Sequence, residues 1–199
     1  MIRFICRVAI ASLLILEPNR KFMDAMENSS RIIIETERLV LRVQQASDVP
    51  ALINLWLDPL AMRYMGGPRH KDQLQSEFDK VSLQPFAERY DLWPLIEKVT
   101  GRVIGHCGLL CKDVEGVSEI ELVYLIEPAA WGQGYASEIG QALISYAFER
   151  LNLKRLIALI EPDNKASERV AVKLGMSFEK EVIRPGGAVR KVYSIKGQV

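Results

Sequence analysis

The sequence has few cysteines and histidines, three of the first and two of the second among 199 residues. Cys6, Cys107 and Cys111 form no Cys-x-x-Cys pair, which argues against a disulfide framework and for a reducing compartment such as the cytoplasm. His106, Cys107 and Cys111 fall in a predicted strand, whereas structural zinc takes four ligands at turn-like spacing. We therefore expect no metal, and we expect the thiols to be buried as small apolar groups.

Charge of one sign is not in excess either. Lysines and arginines number 26 against 25 aspartates and glutamates, which gives a net charge of +1. No overall field attracts nucleic acid or an anionic membrane, and we expect neither as a partner. With 49% hydrophobic and 26% charged residues, the composition is typical of a globular protein with one core.

Long apolar runs are missing as well. Residues 8–16 form an apolar run of about nine residues, and a membrane-spanning helix needs about 20. Arg3 and Arg7 before this run are compatible with a signal peptide, but EPNRK follows it without a small-x-small cleavage site. We favour a short amphipathic tail, or a start of translation further along the chain. Residues 1–30 are assigned as an N-terminal tail and residues 31–199 as one domain.

The hydrophobic pattern from residue 31 onward predicts one mixed sheet flanked by helices, an α/β (α+β) fold. Residues 31–44 are predicted to form a single opening strand, and Ser47 to be the N-cap of the helix that follows. The predicted elements are a strand at 31–44, helices at 46–58 and 70–86, a hairpin in 91–110, a strand at 117–128, a helix up to residue 150, a strand at 155–162, a helix at 164–176, and strands at 177–183 and 191–197.

A glycine-rich turn, GQGYA, separates the strand at 117–128 from the next helix. Gly132 and Gly134 permit positive φ and a close approach of the backbone, and a helix dipole favours negative charge at the first turn. The physical expectation is a cradle for phosphate or pyrophosphate, with glycines that only turn the chain as the alternative. A P-loop is excluded because Tyr135 and Ala136 stand where Lys-Ser/Thr is required, and a dinucleotide fingerprint lacks its third glycine.

Four blocks of sequence occur in order between Ile33 and Glu181. They are ETERLVLR at 35–42, GRVIGHCGL at 101–109, IELVYLIEPAAWGQGYASE at 120–138 and EPDNKASERVAVKLGMSFE at 161–179. Together they resemble the GNAT superfamily of acetyl-CoA-dependent N-acetyltransferases, and most of all its RimJ/RimL branch of ribosomal-protein N-terminal acetyltransferases. The resemblance implies an N-acetyltransferase domain in residues 31–199, with acetyl-CoA as acetyl donor and no metal.

The resemblance also implies a splayed sheet, in which two neighbouring parallel strands part and hold the pantothenate arm of coenzyme A. The backbone of Leu125 and Ile126 would pair with the arm. Trp131 stands where the superfamily often has Gln or Arg, as is usual in this branch, so that amides would hold the pyrophosphate in place of a side-chain cation. These amides belong to Gly132, Gln133, Gly134, Tyr135, Ala136 and Ser137.

One group of candidate residues lies at the start of the last helix. Many members of the superfamily place a tyrosine seven residues after an asparagine there, to protonate the leaving thiolate. Counted from Asn164, that position is Ala171 in this chain. Ser167 matches a serine of the branch and is our candidate for the acid, with a hydroxyl that only satisfies local backbone as the alternative. Asn164 is expected to be an N-cap, a contact to the cofactor, or both.

Glu121 is the candidate base, because it stands seven residues before Pro128, as the branch's glutamate does. Glu119 lies on the same strand face and is the second choice, and a β-bulge would switch which acid faces inward. The alternative is a solvent-facing acid at a strand start. A mild base suffices for an α-amine, which is about one-tenth neutral at pH 7, against under about 0.1% for lysine. A strand amide near Leu125 would stabilise the oxyanion, and Glu138 is interpreted as a favourable charge in a helix first turn.

Two other classes of function stay open at this point. Ala171 is compatible with a module that binds acetyl-CoA without turnover, and the glycine turn alone would also suit a protein that binds ATP. The acceptor would lie between the early helices and the hairpin, where Met65, Phe86 and Trp93 give no diagnostic charge pattern. We expect acetyl-CoA and a primary amine as partners, the amine being a protein N-terminus or a small molecule, and a monomer or homodimer.

Overall fold

The computed structural model describes residues 32–83 and 89–197, and these form one eight-stranded sheet with helices on both faces. The predicted tail, residues 1–30, lies outside the described residues. The strands are β1 Ile32–Glu35, β2 Leu39–Arg42, β3 Leu92–Glu97, β4 Val103–Val114, β5 Val117–Ile126, β6 Arg155–Ile160, β7 Ser177–Ile183 and β8 Val189–Lys196. The helices are α1 Val49–Leu57, α2 Lys71–Leu83, α3 Tyr135–Ser145 and α4 Lys165–Lys173, with 3-10 turns at Ala46–Asp48 and Pro128–Ala130 and a π-helical turn, Tyr146–Arg150, that extends α3.

The order of strands in the sheet is β1-β2-β3-β4-β5-β6-β8-β7. Neighbouring strands are antiparallel except for β5 and β6, which are parallel. Parallel neighbours need a crossover connection, and α3 provides it. This mixed sheet with flanking helices confirms the predicted fold class.

Side chains alternate in direction along β5, and this divides the apolar interior into two layers. Leu122 and Ile126 face α3 and α4 and pack with the fully buried Leu143. Val123 and Leu125 face the opposite way and pack with α1 and α2. A third cluster lies at the β6–β8–β7 end of the sheet and contains Val114, Ile157, Val182 and Val192. Both faces of β5 are largely buried towards its carboxyl end, and β5 is a central strand between β4 and β6, as its apolar composition predicts.

The opening segment is a hairpin and not the single strand that its composition predicts. The Thr36 N–H donates to the Leu39 carbonyl at 2.9 Å, and the Thr36 hydroxyl accepts the Leu39 N–H at 3.1 Å. These two bonds close a turn, after which β1 and β2 pair with Glu35 opposite Val40. A threonine that bonds to nearby backbone offers the chain an alternative to a continuous strand, which a hydrophobicity pattern does not reveal.

Ser47 is not the N-cap of α1, so that prediction is wrong. The 3-10 turn precedes the helix, and Asp48 occupies the N-cap position. Asp48 is buried, and its carboxylate accepts the Gln45 N–H at 2.8 Å and pairs with Arg42 at 2.7 Å. A buried charge requires such partners, so the paired aspartate starts the helix while Ser47 stays exposed.

Candidate active site

The parallel strands β5 and β6 separate towards their carboxyl ends. They share one registered pair, Glu121 with Ile157. Beyond it, β5 stays paired with β4 up to Ile126, opposite Gly105, while β6 stays paired with β8 up to Ile160. Between them lies a gap lined by backbone groups that a regular sheet would pair, and an extended ligand can pair with such groups. This is the splayed geometry that the sequence resemblance implies.

Backbone directions decide which residues of β5 face the gap. The Glu127 N–H donates to the carbonyl of Ile104, a residue of β4, at 2.8 Å. Because backbone groups alternate in direction along a strand, Leu125 also faces β4, and Tyr124 and Ile126 face the gap. Of the two residues predicted to pair with a cofactor arm, this geometry favours Ile126. That either residue does so stays a prediction.

The glycine turn begins just beyond the end of β5. Gly132 and Gly134 have φ of 76° and 83°, the conformation for which their type is suited, and Gly134 is the N-cap residue of α3. Trp131 is about half exposed, and its indole N–H donates to the Ile126 carbonyl at 2.8 Å. The tryptophan therefore ties the turn to the end of β5, which leaves the backbone amides to face a ligand.

Some backbone amides at the start of α3 donate hydrogen bonds within the helix, and others are available to a ligand. The Ser137 and Glu138 amides both donate to the Gly134 carbonyl, at 3.1 and 3.0 Å. The amides of Gly134, Tyr135 and Ala136 belong to the group that a helix start leaves without intrahelical partners, and those of Gly132 and Gln133 lie in the turn just before it. They and the helix dipole favour an anion at this point. Ser137 is less suited to that role than the other predicted residues.

Arg38 braces the glycine turn from the start of β2. Its Nη1 donates to the Gln133 carbonyl at 2.9 Å and its Nε to Glu138 at 2.7 Å, and its Cζ lies 4.6 Å from the centroid of the Tyr135 ring. Thr36 donates to the same carboxylate at 2.6 Å. Burial raises the pKa of Glu138, but the hydrogen bonds from Thr36 and Arg38 outweigh it and hold the pKa below its ordinary value. Sequence reasoning missed this brace, since its partners are about 100 residues apart.

Tyr124 and Ser167 meet on the face of the sheet that α3 and α4 cover. Their hydroxyl oxygens are 2.8 Å apart, and the Tyr124 hydroxyl also lies 3.2 Å from the Ser167 carbonyl oxygen. Asn164 is the N-cap of α4, as predicted, and its Oδ1 accepts the Ser167 N–H at 3.1 Å. Burial raises the pKa of Tyr124 to about 12, with the hydrogen bond to Ser167 opposing it. The phenol therefore keeps its proton at neutral pH.

Sequence reasoning missed Tyr124, although period-two counting places it on the same face of β5 as Leu122 and Ile126. On α4, the position seven residues after Asn164 is Ala171, which is fully buried in the core cluster beneath α3 and α4. A phenol ring added at that buried position would overpack the core. The tyrosine that lies near Ser167 comes from the strand and not from the helix.

Glu121 lies at the registered pair where the gap begins, with its side chain 13% exposed. The Lys112 Nζ is 4.0 Å from its Oε2. Burial raises the pKa of the carboxyl, against the opposing effects of Lys112, a hydrogen bond from the Leu159 backbone, and the charges of Arg184 and Arg190. A carboxyl whose pKa is raised towards neutrality is better suited to take a proton at working pH.

Glu119, the second choice for the base, is held in an ion pair. The Arg155 Nε is 3.1 Å from both of its carboxylate oxygens, and Arg155 Nη2 lies 2.8 Å from Glu179. This carboxylate already has a charged partner at hydrogen-bond distance, whereas the Lys112 contact of Glu121 is longer. The geometry favours Glu121 as the base, and that role stays a prediction.

Glu121 and Tyr124 leave β5 on opposite faces of the sheet. Glu121 shares its face with Val123, which packs with α1 and α2, and Tyr124 shares its face with Leu122, which packs with α3 and α4. The gap therefore has a carboxyl on one side and a pair of hydroxyls on the other. A reacting centre held in the gap can lose a proton to one face and receive a proton from the other.

Two of the three residues predicted near an acceptor lie in the described part of the chain, and they pack in different layers. Met65 is half-buried against the layer of α1 and α2, next to the Glu121 face. Trp93 faces the other layer, with its ring centroid 6.4 Å from that of Tyr146, so its prediction is wrong. Alternation along β3 turns Leu92 towards α1 and α2 and Trp93 away from them. Phe86 lies outside the described residues.

The buried thiol and imidazole are inert in this structure. Cys107 is fully buried, as predicted, and burial raises its pKa to about 12, while Cys111 is half-buried. Burial lowers the pKa of His106 to about 4, and its Nδ1 accepts the Trp56 indole N–H at 3.0 Å. Among residues 32–83 and 89–197, no group of three or more His, Cys, Asp or Glu could hold a metal ion. Within the same described ranges, no helix is both long enough and apolar enough to cross a membrane.

Comparison with known proteins places these features in a family. A model of the acetyltransferase (GNAT) domain matches residues 38–177. The chain is 36% identical over 169 residues to the uncharacterized N-acetyltransferase p20 of Bacillus licheniformis, an alignment that covers 82% of this chain and 89% of that protein.

Solved structures give the same result. A GNAT-family acetyltransferase from Bacillus anthracis superposes with a TM-score of 0.69 at 25% identity, over 82% of this chain and 97% of its own. RimL, a ribosomal L7/L12 alpha-N-protein acetyltransferase solved in complex with coenzyme A, superposes with a TM-score of 0.68 over 84% of this chain and 98% of its own. At 19% identity, the second likeness shows a shared fold.

Proposed function

The chain belongs to the GNAT acetyltransferase family, and we propose that it moves an acetyl group from acetyl-CoA to a primary amine by direct attack of the amine on the thioester. That membership makes it an N-acetyltransferase, as the four sequence blocks predict, and acetyl-CoA is the co-substrate that the family uses. The amine class and the residue roles are the proposal.

The observation that carries the proposal is the gap between β5 and β6, with Glu121 on one face and the Tyr124–Ser167 pair on the other. The backbone of Ile126 faces this gap, and the glycine turn lies at its open end. An extended arm that contains amides suits the unpaired strand edge, and a pyrophosphate suits the N-terminus of α3. The residues present therefore fit acetyl-CoA.

On the face of α1 and α2, Glu121 accepts a proton from the attacking amine, directly or through one water. Its buried carboxyl has a raised pKa, which brings its proton affinity closer to that of the amine it must deprotonate. An α-amine, with a pKa near 8, supplies about one neutral molecule in ten at pH 7, so a mild base suffices. We therefore include protein N-termini and small α-amines in the acceptor class.

At the gap itself, the Ile126 N–H stabilises the negative charge that develops on the carbonyl oxygen. On the face of α3 and α4, the Ser167 hydroxyl donates a proton to the leaving thiolate and regains one from water. The Tyr124 hydroxyl, whose oxygen lies 2.8 Å from the Ser167 Oγ, is the partner that orients the Ser167 hydroxyl. The Asn164 cap fixes the backbone of Ser167, which positions the hydroxyl from the other side.

The test is the release of free coenzyme A from acetyl-CoA, measured with a thiol reagent across a panel of amines. The panel contains short peptides, free amino acids, polyamines and aminoglycosides. We expect release that depends on one amine class, a fall in kcat for Glu121→Gln and for Ser167→Ala, and no change for Glu149→Gln, an exposed glutamate at the end of the α3 extension. Equal rates in all four proteins would remove the roles given to Glu121 and Ser167.

A second candidate function is a module that binds acetyl-CoA without turnover. Ala171, which stands at the tyrosine position of many relatives, is the feature that favours it. Retention of Glu121 and of a hydroxyl pair at the gap favours the enzyme. Tight binding of acetyl-CoA with no amine-dependent release would support the module, whereas thermal stabilisation by ATP in preference to coenzyme A would support neither candidate.

A further inference from the structure

Three cations line the Glu121 face of the gap, and they come from three separate parts of the chain. Lys112 lies on β4, Arg184 follows β7, and Arg190 lies on β8. All three lower the pKa of Glu121 against the effect of burial, so their charges act on the same carboxyl. The Lys112 Nζ lies 4.0 Å from the Glu121 Oε2.

Strand register explains how the arginines reach this face. Ile160, the last residue of β6, is opposite Lys191 on β8, so Arg190 lies just past the end of β6. Arg190 is opposite Val182, which packs with Ile157, the partner of Glu121 in the register. Arg190 therefore shares the face of Glu121 at the carboxyl end of the gap.

These cations are only loosely paired. The Arg190 Nη2 is 3.9 Å from Glu161, and the Lys112 contact is equally long, whereas a hydrogen bond between charged groups spans about 2.7–2.9 Å. Arg184 donates to a backbone carbonyl, that of Asp113, which is neutral. The Lys112 and Arg190 side chains are 26% and 17% exposed, so their charges are screened less than those of fully exposed groups.

We propose that the acceptor amine carries a carboxylate within a few bonds, and that Lys112, Arg184 and Arg190 bind this carboxylate while the amine meets Glu121. The inference rests on the proposed function and narrows its acceptor class. Arginine binds carboxylates through two parallel hydrogen bonds, which fix orientation as well as affinity. A polyamine or an aminoglycoside would bring further positive charge to a cationic rim, and like charges oppose association.

The experiment compares acceptors that present the same amine with and without a carboxylate. Three peptide amides serve, Ser-Asp-Ala, Ser-Asn-Ala and Ser-Lys-Ala, with spermidine as the polycation. Glycine and glycinamide, with rates expressed per neutral amine, show whether a free amino acid or a peptide is the better source of the carboxylate. The readout is kcat/KM for coenzyme A release by the full chain.

We expect kcat/KM for the Asp peptide to exceed that for the Asn peptide by about tenfold or more, which is typical of a charge-assisted contact. Arg190→Gln should remove this preference, so that the ratio of kcat/KM for the Asp peptide to that for the Asn peptide falls towards one, and Arg190→Lys should retain part of it. Arg150→Gln, a change at an exposed arginine at the end of the π-helical turn that extends α3, is the matched control and should leave the preference intact.

The outcomes separate the inference from the function on which it rests. Acetylation of spermidine or of the Asn peptide with kcat/KM equal to or above that of the Asp peptide would overturn the carboxylate inference and leave the acetyltransferase proposal standing. An Arg190→Gln variant that keeps the preference would overturn the assignment of the binding residues. Absence of release with every amine would remove the proposed function and the inference with it.

Discussion

Replacement of Tyr124 by phenylalanine tests whether the hydroxyl pair belongs to the catalytic machinery. The change removes one oxygen and keeps the buried ring. That oxygen is 2.8 Å from the Ser167 Oγ and 3.2 Å from the Ser167 carbonyl oxygen. Without it, the Ser167 hydroxyl has lost the partner that sets its direction, while the Asn164 cap still holds the backbone.

The magnitude follows from one hydrogen bond. A typical intramolecular hydrogen bond contributes about 0.5–1.5 kcal/mol net, and the same free energy lost in the transition state lowers kcat by about 2- to 13-fold. We expect kcat to fall within this range for Tyr124→Phe, with KM for acetyl-CoA unchanged. If, as proposed, the phenol acts through Ser167, the double variant with Ser167→Ala should be no slower than Ser167→Ala alone.

The assay is single-turnover and steady-state release of coenzyme A, with thermal unfolding as a check on folding. Tyr146→Phe is the control, because this tyrosine is half-buried on the same layer and contacts the Trp93 ring. A Tyr124→Phe variant with wild-type kcat would refute the role of the phenol. Fully additive effects of the two substitutions would refute the idea that it acts through Ser167.

Three other substitutions test the turn, the packing and the base. Gly134→Ala forces a residue with a side chain to adopt φ 83°, which costs about 1–2 kcal/mol of backbone strain, and should raise KM for acetyl-CoA. The control is Gly187→Ala, at φ 84° in the β7–β8 turn, which should cost similar stability and leave that KM unchanged. Gly140→Ala places a Cβ 2.6 Å from the Cδ1 of Leu174, whose side chain is 5% exposed in the core and has little room to move aside. Overpacking of about 1–3 kcal/mol should outweigh a gain of up to about 1 kcal/mol in helix propensity, so the melting temperature should fall, and a rise would contradict the contact. Burial raises the pKa of Glu121, so ionisation of this carboxyl destabilises the fold as the pH rises through that raised pKa. The Glu121→Gln variant should therefore unfold at a temperature equal to or higher than that of the wild type at pH 8, and this difference should be gone below about pH 4. The same variant should lose kcat.

Hydrophobic periodicity predicts correctly those strands and helices whose buried face can be identified from their own residues. β5 and the hairpin of β3 and β4 are apolar on the faces that pack, and α4 carries its own N-cap in Asn164. The errors arose where a polar side chain overrides the pattern. Thr36 closes a turn inside an apolar segment, and Asp48 takes the cap from Ser47 because Arg42 pairs with it.

Contacts between distant parts of the chain were beyond sequence reasoning for a different reason. The Arg38 brace joins residues about 100 positions apart, and Tyr124 reaches Ser167 across 43 positions. No local spacing encodes such pairs, because they depend on how elements from distant parts of the chain pack together. The residue types at the gap follow from the sequence but their partners do not, and the ion pair with Arg155 is what distinguishes Glu119 from Glu121.

Register along β5 is what makes the two-faced arrangement of the gap possible. A bulge in this strand would have exchanged the faces of its acids, but β4 and β5 pair without a shift from Val117 to Ile126. Glu121 and Tyr124 are therefore three residues apart on a regular strand, and because side chains alternate between faces, these two must lie on opposite faces. In the proposed reaction, a thioester held between the strands would be reached by an amine from one side and by a proton for its sulfur from the other. The two proton transfers need not compete for the same space, and one strand supplies a residue to each.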